Sequence, residues 1–248
     1  MARRATAIKR ERADNGNVLL LDAGSTLLGQ PTAMKTRGQV IVEAMNKLGY
    51  DAMTVGRLDF LQGKEVLLAR AKEARFAMVS ANLVVPGEGG KSLLPSHTVV
   101  ERSGWRIAIV GLTGERDLPA FANQPQELAV TNPIAAMKSL MNRLRDEADL
   151  IIVVSHLGEA QDQVLATEVP GIAVIVGGVG YSPADSVRVV PGTGTLAVYS
   201  GAQGEYLGIL KVKVGEDGKM LAHEWRALGL GDQFADDAEM VELIAKHR

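Results

Sequence analysis

The chain has 248 residues, a net charge of −2, 46% apolar and 23% charged side chains, and no cysteine. Such a length carries a sizeable core, and the near-neutral charge offers no basic field for nucleic acid or an acidic membrane. The missing cysteines exclude disulfides, thiolate metal sites and cysteine nucleophiles, and no apolar run approaches the roughly 20 residues of a membrane span.

Residues 2–14 (ARRATAIKRERAD) predict a surface helix with a thin apolar stripe, ended by Asn15-Gly16, its arginines and lysines forming a solvated face. No apolar h-region follows this basic start, so it does not read as a signal peptide. Val18–Asp22 is an apolar run closing on a carboxylate, the pattern of a strand buried on both faces. Ala23-Gly24-Ser25 turns at its C-terminal end, where α/β sites collect. Residues 36–48 predict an amphipathic helix stopped by Gly49. A strand over Ala52–Val55 then runs into a Gly56 turn that presents Arg57, Leu58 and Asp59 together, a common way to build a site edge.

Further along, Glu65–Ala74 predicts a helix, Phe76–Ser80 a strand and Pro86–Lys91 an exposed glycine-rich loop. Thr98–Arg102 and Trp105–Gly111 flank Ser103-Gly104 as a hairpin. Pro133–Ala148 is a strong helix with Asn132 as its cap and Pro133 at its first position. Asp149–Ser155 is a buried strand ending at His156, and Ile172–Val176 another ending at Gly177-Gly178. From Val187 the pattern turns to strands, over Arg188–Val190, Thr195–Tyr199, Tyr206–Val214 and Met220–Ala227, before a closing helix at Asp236–Lys246. The whole reads as a single α/β domain.

Four strand ends carry polar or glycine residues: Asp22–Ser25, Gly56–Asp59, Ser155-His156 and Gly177–Tyr181. Ends of this kind gather on one sheet edge and predict a shared cleft. Asp22 is expected to tie down amides of its own turn, and His97, His223 and His247 show no partner pattern and are expected at the surface. No serine–histidine–acid arrangement has local support. Asp22–Gly29 looks like the phosphate turn of sugar-kinase-type ATPases but lacks the β-hairpin that should carry it. Gly178-Val-Gly180 lacks the third glycine of a dinucleotide fingerprint.

In order along the chain, NVLLLDAGS, MNKLGYDAMTVGRLDF, MVSANLV, IVVSHLG, VPGIAVIVGGVGYS and VYSGAQGEYLGILKV resemble segments of the 5′-nucleotidase branch of the calcineurin-like metallophosphoesterases. The resemblance implies a four-layer αββα sandwich, two mixed β-sheets flanked by helices. It also implies two divalent metals that activate a bridging water, with a histidine assisting phosphoryl departure. Carried over position by position, the metal-bridging aspartate falls on Ser25, the asparagine ligand on Arg57 and the catalytic histidine on Leu58. Asp59 keeps the carboxylate that would orient that histidine, with nothing left to orient. His156 keeps a metal-ligand position, while the two histidines of the last motif fall on Val179 and Tyr181.

These substitutions remove the chemistry. Ser25 offers no anionic bridge, Arg57 is a fixed cation that repels a metal, and Leu58 has no proton to give. One imidazole does not hold a hard divalent ion against water, and unmetallated water stays near its bulk pKa of ~15.7. Val179 and Leu58 are expected to pack the old cavity.

The expectation is one metallophosphoesterase-like domain over residues 1–248, without the family's first Asp-x-His strand or its C-terminal nucleotide-binding domain. No metal cofactor and no catalytic residue are expected; the cleft would bind a phosphate-containing small molecule or support a protein partner. The alternatives are a weak metal-dependent phosphoesterase acting on nucleotides or other phosphate monoesters, and a purely structural subunit. Arg57 is either one half of a charge pair with Asp59 or an anion-binding cation. His156 is either a hydrogen-bonded strand-end residue or a residual metal contact. The chain as given shows no leader and reads as cytoplasmic, whereas the resembling family is largely periplasmic or exported.

Overall fold

A computed structural model describes residues 1–118, 128–180 and 186–247. Helix α1 (Ala2–Asp14) is followed by a two-residue strand β1 (Leu21–Asp22) and helices α2 (Pro31–Lys35) and α3 (Gln39–Leu48). Gly49 ends α3 at φ 66°, a left-handed conformation that a side chain would strain. Then come β2 (Ala52–Thr54), a 3-10 turn over Arg57–Phe60, α4 (Lys64–Glu73), β3 (Ala77–Val79), β4 (Leu83–Val85) and β5 (Lys91–Ser92). The hairpin β6 (His97–Arg102) and β7 (Trp105–Leu112) precedes β8 (Ala129–Val130) and α5 (Pro133–Glu147). The Asn132 side chain caps α5, accepting from the Ala135 amide at 2.9 Å. The remainder is β9 (Leu150–Ser155), α6 (Glu159–Glu168), β10 (Val174–Gly177), β11 (Arg188–Val189), β12 (Leu196–Tyr199), β13 (Tyr206–Val214), β14 (Met220–Gly229) and α7 (Ala238–Ala245).

Two sheets form the centre. The smaller runs β1-β2-β3, parallel throughout; the larger runs β11-β12-β10-β9-β7-β6, parallel inside with antiparallel edge strands. They face each other across Ala52, Val79, Ile107, Ile109, Leu150 and Val154, all buried. Gly111 lets them approach, since a Cβ there would overlap the Val79 carbonyl. Helices cover the outer faces. Ala5 and Ile8 of α1, Val42 and Met45 of α3, Leu67 of α4 and Met240 of α7 close one side; Met137, Met141 and Leu144 of α5 and Leu165 of α6 close the other. Burying each of the larger side chains stabilises the fold by roughly 1.5–3 kcal/mol. The result is the expected α–β–β–α layering, with the antiparallel hairpin β13–β14 and the small sheet β5-β4-β8 added.

Four local expectations need correction. The run Val18–Asp22 yields only the half-buried β1, because β1 lies at a sheet edge and pairs with β2 alone. Helix α6 has no counterpart in the predicted elements; its buried face, Asp162, Leu165 and Ala166, is too narrow and polar to stand out as an apolar stripe. The basic residues of α1 do not form a merely solvated face. Arg3 pairs with Asp232 at 2.7 Å, Lys9 with Asp237 at 2.6 Å, and Arg4 donates to the Gly204 carbonyl at 3.1 Å, so they tie the first helix to the chain's last third. Two histidines also have partners: His97 meets Glu147 at 2.9 Å and Ser96 at 2.8 Å, and His247 meets Glu43 at 2.8 Å. Among the described residues, no helix is long and apolar enough to cross a membrane.

Candidate functional site

The C-terminal ends of β1, β2, β7, β9 and β10 meet at one edge. A Cβ on Gly24 would come within 2.8 Å of the Gly56 amide and 3.2 Å of the His156 ring, and one on Gly178 would press on the Ala23 carbonyl. A Cβ on Gly56 would overlap the His156 ring itself, so glycine is required for that ring to lie across the turn. Behind the site, Asn82 accepts from the Thr113 amide at 2.9 Å and donates to the Thr113 and Thr131 carbonyls. Thr113 Oγ1 in turn donates to the Val55 carbonyl at 3.1 Å, which fastens the end of β7 to the end of β2.

Asp59 organises the turn after β1. It is 1% exposed, and its carboxylate accepts from the amides of Ser25 (2.8 Å), Thr26 (2.9 Å), Leu27 (2.8 Å) and Gly56 (2.9 Å). Burial raises its pKa to about 6 against the pull of those amides, with the charge of Asp22 adding to the rise. The carboxylate therefore holds the backbone of two turns, with Leu58 in place of any histidine for it to orient. Asp22 takes the Gly24 amide at 3.0 Å and the Thr26 hydroxyl at 2.7 Å, tying down its own turn as expected. Together they hold Ser25 at φ 59°, a left-handed backbone that costs a non-glycine residue roughly 1–2 kcal/mol.

Ser25 Oγ lies 2.9 Å from His156 Nε2 and accepts from the Leu58 amide at 3.3 Å. The other ring nitrogen, Nδ1, lies 2.8 Å from Asp117 Oδ2, and the same oxygen accepts from the Gly114 amide at 2.8 Å. His156 and Asp117 are both buried. Burial works against the imidazolium, but the Asp117 hydrogen bond and the charges of Asp117 and Asp59 outweigh it, and the His156 pKa is raised. A serine–histidine–aspartate chain thus exists, assembled from positions that show no local pattern. Asp117 was missed altogether. The available signal was the end of β7, a further strand of the same parallel set, whose C-terminal turn holds the aspartate.

The other expected site residues fare unevenly. Arg57 is exposed and its side chain makes no hydrogen bond or ion pair among the described residues, so it is not paired with Asp59, which is sealed beneath the turn by backbone amides. Leu58 is half-buried, within 3.2 Å of where a Gly29 Cβ would stand. Val179, just after β10, is 42% exposed among the described residues and so is not packed into a cavity. Tyr181 lies outside the described residues.

The described residues at this edge do not fit two divalent ions. Such ions need several oxygen or nitrogen donors aimed at common points. Both His156 nitrogens already face Ser25 and Asp117, and the Asp59 oxygens face four amides. Among the described residues, no group of three or more histidine, cysteine, aspartate or glutamate side chains is placed to hold a metal.

Comparison with known proteins agrees with the architecture. Human 5′-nucleotidase is 29% identical over 275 residues, covering 100% of this chain and 47% of that protein. The crystal structure of a 5′-nucleotidase precursor from Thermus thermophilus superposes with a TM-score of 0.86 at 29% identity, over 99% of this chain and 52% of that one. Its homologues are thus 5′-nucleotidases that match it over its whole length, and its structural neighbours include a 5′-nucleotidase and a calcineurin-like phosphoesterase. A calcineurin-like phosphoesterase from Bacillus subtilis shares the fold at a TM-score of 0.86 and 20% identity, covering 100% of this chain and 87% of its own. No protein-family model matches the chain. The chain spans about half the length of the curated relatives it matches.

Proposed function

We propose that this 5′-nucleotidase-like domain has lost the two-metal hydrolytic site of its relatives. In this reading it is a pseudoenzyme toward phosphate esters, metal-free, whose cleft binds a phosphate-containing small molecule or supports a protein partner. One observation carries it: the one retained metal-ligand position, His156, has both ring nitrogens engaged by Ser25 and Asp117, while Arg57, the cation at the neighbouring turn, is exposed and has no partner among the described residues. A guanidinium with open donors at a cleft edge is suited to a bidentate grip on phosphate oxygens.

The test has two arms. Calorimetric titration with inorganic phosphate is expected to show binding that Arg57→Ala weakens by about tenfold or more, a loss of ~1.4 kcal/mol; no binding by wild type removes the anion site. Elemental analysis of the purified chain and a phosphate-monoester assay in excess Mn²⁺ are expected to give neither stoichiometric metal nor turnover. Bound metal accompanied by turnover would establish the opposite, a weak metal-dependent phosphoesterase.

A further inference from the structure

We propose that Ser25 is a nucleophile, with His156 as its general base and Asp117 as the residue positioning that histidine, for transfer of an acyl group from a small carboxylic ester to water. The geometry is that of an activated hydroxyl. Asp117 Oδ2 already accepts from the Gly114 amide at 2.8 Å, so it faces His156 as an acceptor and the ring nitrogen opposite, Nδ1, donates to it. In the neutral ring that leaves Nε2 with a lone pair, 2.9 Å from Ser25 Oγ. The spacing is within the range a base needs to take the hydroxyl proton.

Three further features fit the role. Ser25 sits at φ 59° on the sharp turn after β1, so its backbone is forced into an uncommon conformation where a strand ends, as nucleophilic serines on strand-end elbows are. The four amides gripped by Asp59 fix that conformation. Ser25 also keeps part of its surface in solvent, whereas His156 and Asp117 are buried beneath it. The unpaired Arg57 guanidinium at the neighbouring turn has the sign required for charge developing on a carbonyl oxygen.

The step balances without any metal. The Ser25 oxygen adds to the ester carbonyl carbon while its proton moves to His156 Nε2. Collapse breaks the bond to the alcohol oxygen, which leaves with that proton, and acyl-Ser25 remains. Water, giving a proton to the same nitrogen, then releases the carboxylic acid and regenerates the serine.

The experiment uses the purified chain in excess EDTA at about pH 8, above the ordinary imidazole range. It is incubated with a phosphonofluoridate, mapped by peptide mass spectrometry, and assayed with 4-nitrophenyl acetate. Wild type is expected to carry one adduct, on Ser25, and to hydrolyse the ester ~10²-fold or more faster than Ser25→Ala. Asp117→Asn is expected to lower kcat at least tenfold with KM little changed, a split that general loosening of the site would not give. An adduct elsewhere, no adduct, or Ser25→Ala hydrolysing as fast as wild type overturns the proposal, as does Asp117→Asn with unchanged kcat. Should Ser25→Ala fail to fold, the adduct map of wild type still decides. Phosphate binding and this adduct are separate readouts, so either can fail without the other.

Discussion

Asp59 and Asp162 are two buried aspartates whose pKa values are each pushed up to about 6 by burial, one at the cleft and one inside the larger sheet layer. Their partners differ. Asp59 is bonded by four backbone amides that belong to two different turns. Asp162, on α6, is bonded by side-chain hydroxyls, Ser155 at the end of β9 and Tyr199 at the end of β12, the latter at 3.0 Å. The first fixes the path of the main chain, and hence the placement of Ser25; the second stitches a helix to a sheet. A perturbed carboxyl therefore does not by itself mark a functional group. What distinguishes the two is whether backbone or side chain would be left without a partner.

The comparison is broken most sharply by alanine. Asp59→Ala leaves four buried amides without an acceptor, at ~1–3 kcal/mol each before relaxation. A loss above ~3 kcal/mol in urea unfolding is expected. Asp162→Ala leaves only two hydroxyls without this acceptor, and about 1–2 kcal/mol is expected. Equal losses would show that backbone and side-chain partners count alike here. Next in size is Gly56→Ala, whose methyl would overlap the His156 ring; overpacking of this kind costs ~1–3 kcal/mol. Gly87→Ala, with nothing within 4 Å of its Cβ, is the neutral control, and thermal unfolding of the pair measures the difference.

Much of this was legible from local chemistry. Gly49 stops α3, Asn132 caps α5, and Ser103-Gly104 turns the β6–β7 hairpin, because each depends on residues within a few positions. The resemblance of six segments located the strand ends and the layered fold. The contacts inside the cleft were not legible, because they join distant residues. Ser25 meets His156 across 131 positions and His156 meets Asp117 across 39, with no spacing rule to link them. Arg4 and Lys9 of α1 fail for the same reason, since their partners lie 200 and 228 residues away. Val179 was expected inside because it replaces a ligand histidine. Its exposure shows that an apolar replacement need not be packed inside.

The pH dependence of stability sharpens the comparison further. Both folded-state pKa values lie above the ordinary aspartate value of 3.8, so the folded chain takes up these protons before the unfolded one does. Their contribution is fully present below about pH 4 and is lost as pH rises through about 6, by on the order of 1–3 kcal/mol per group. Glu43, held low by His247, and Asp237, held low by Lys9, pull the opposite way at the surface, so the informative quantity is a difference. Wild type minus Asp162→Asn, followed by urea unfolding, is expected to grow as pH falls from about 7 to about 4. A flat difference would mean that Asp162 stays ionised across the range, held by its two hydroxyl donors.

The smallest effect is expected at Arg57, and there smallness is the useful result. Its guanidinium has no partner among the described residues and the residue is exposed, so Arg57→Ala removes no hydrogen bond seen there and opens no cavity; surface changes of this type stay within ~0.5 kcal/mol. Arg102 is the contrast, since it pairs with Asp51, a carboxylate that also accepts from the Leu20 amide at 2.8 Å beside β1. Arg102→Ala is expected to be the more damaging of the two in thermal unfolding, because it strands a largely covered carboxylate next to the edge strand. Equal unfolding temperatures for Arg57→Ala and wild type would mean that any phosphate affinity lost with the side chain belongs to binding. A clear drop would instead require Arg57 to hold the turn, and the cleft would then lose its free cation.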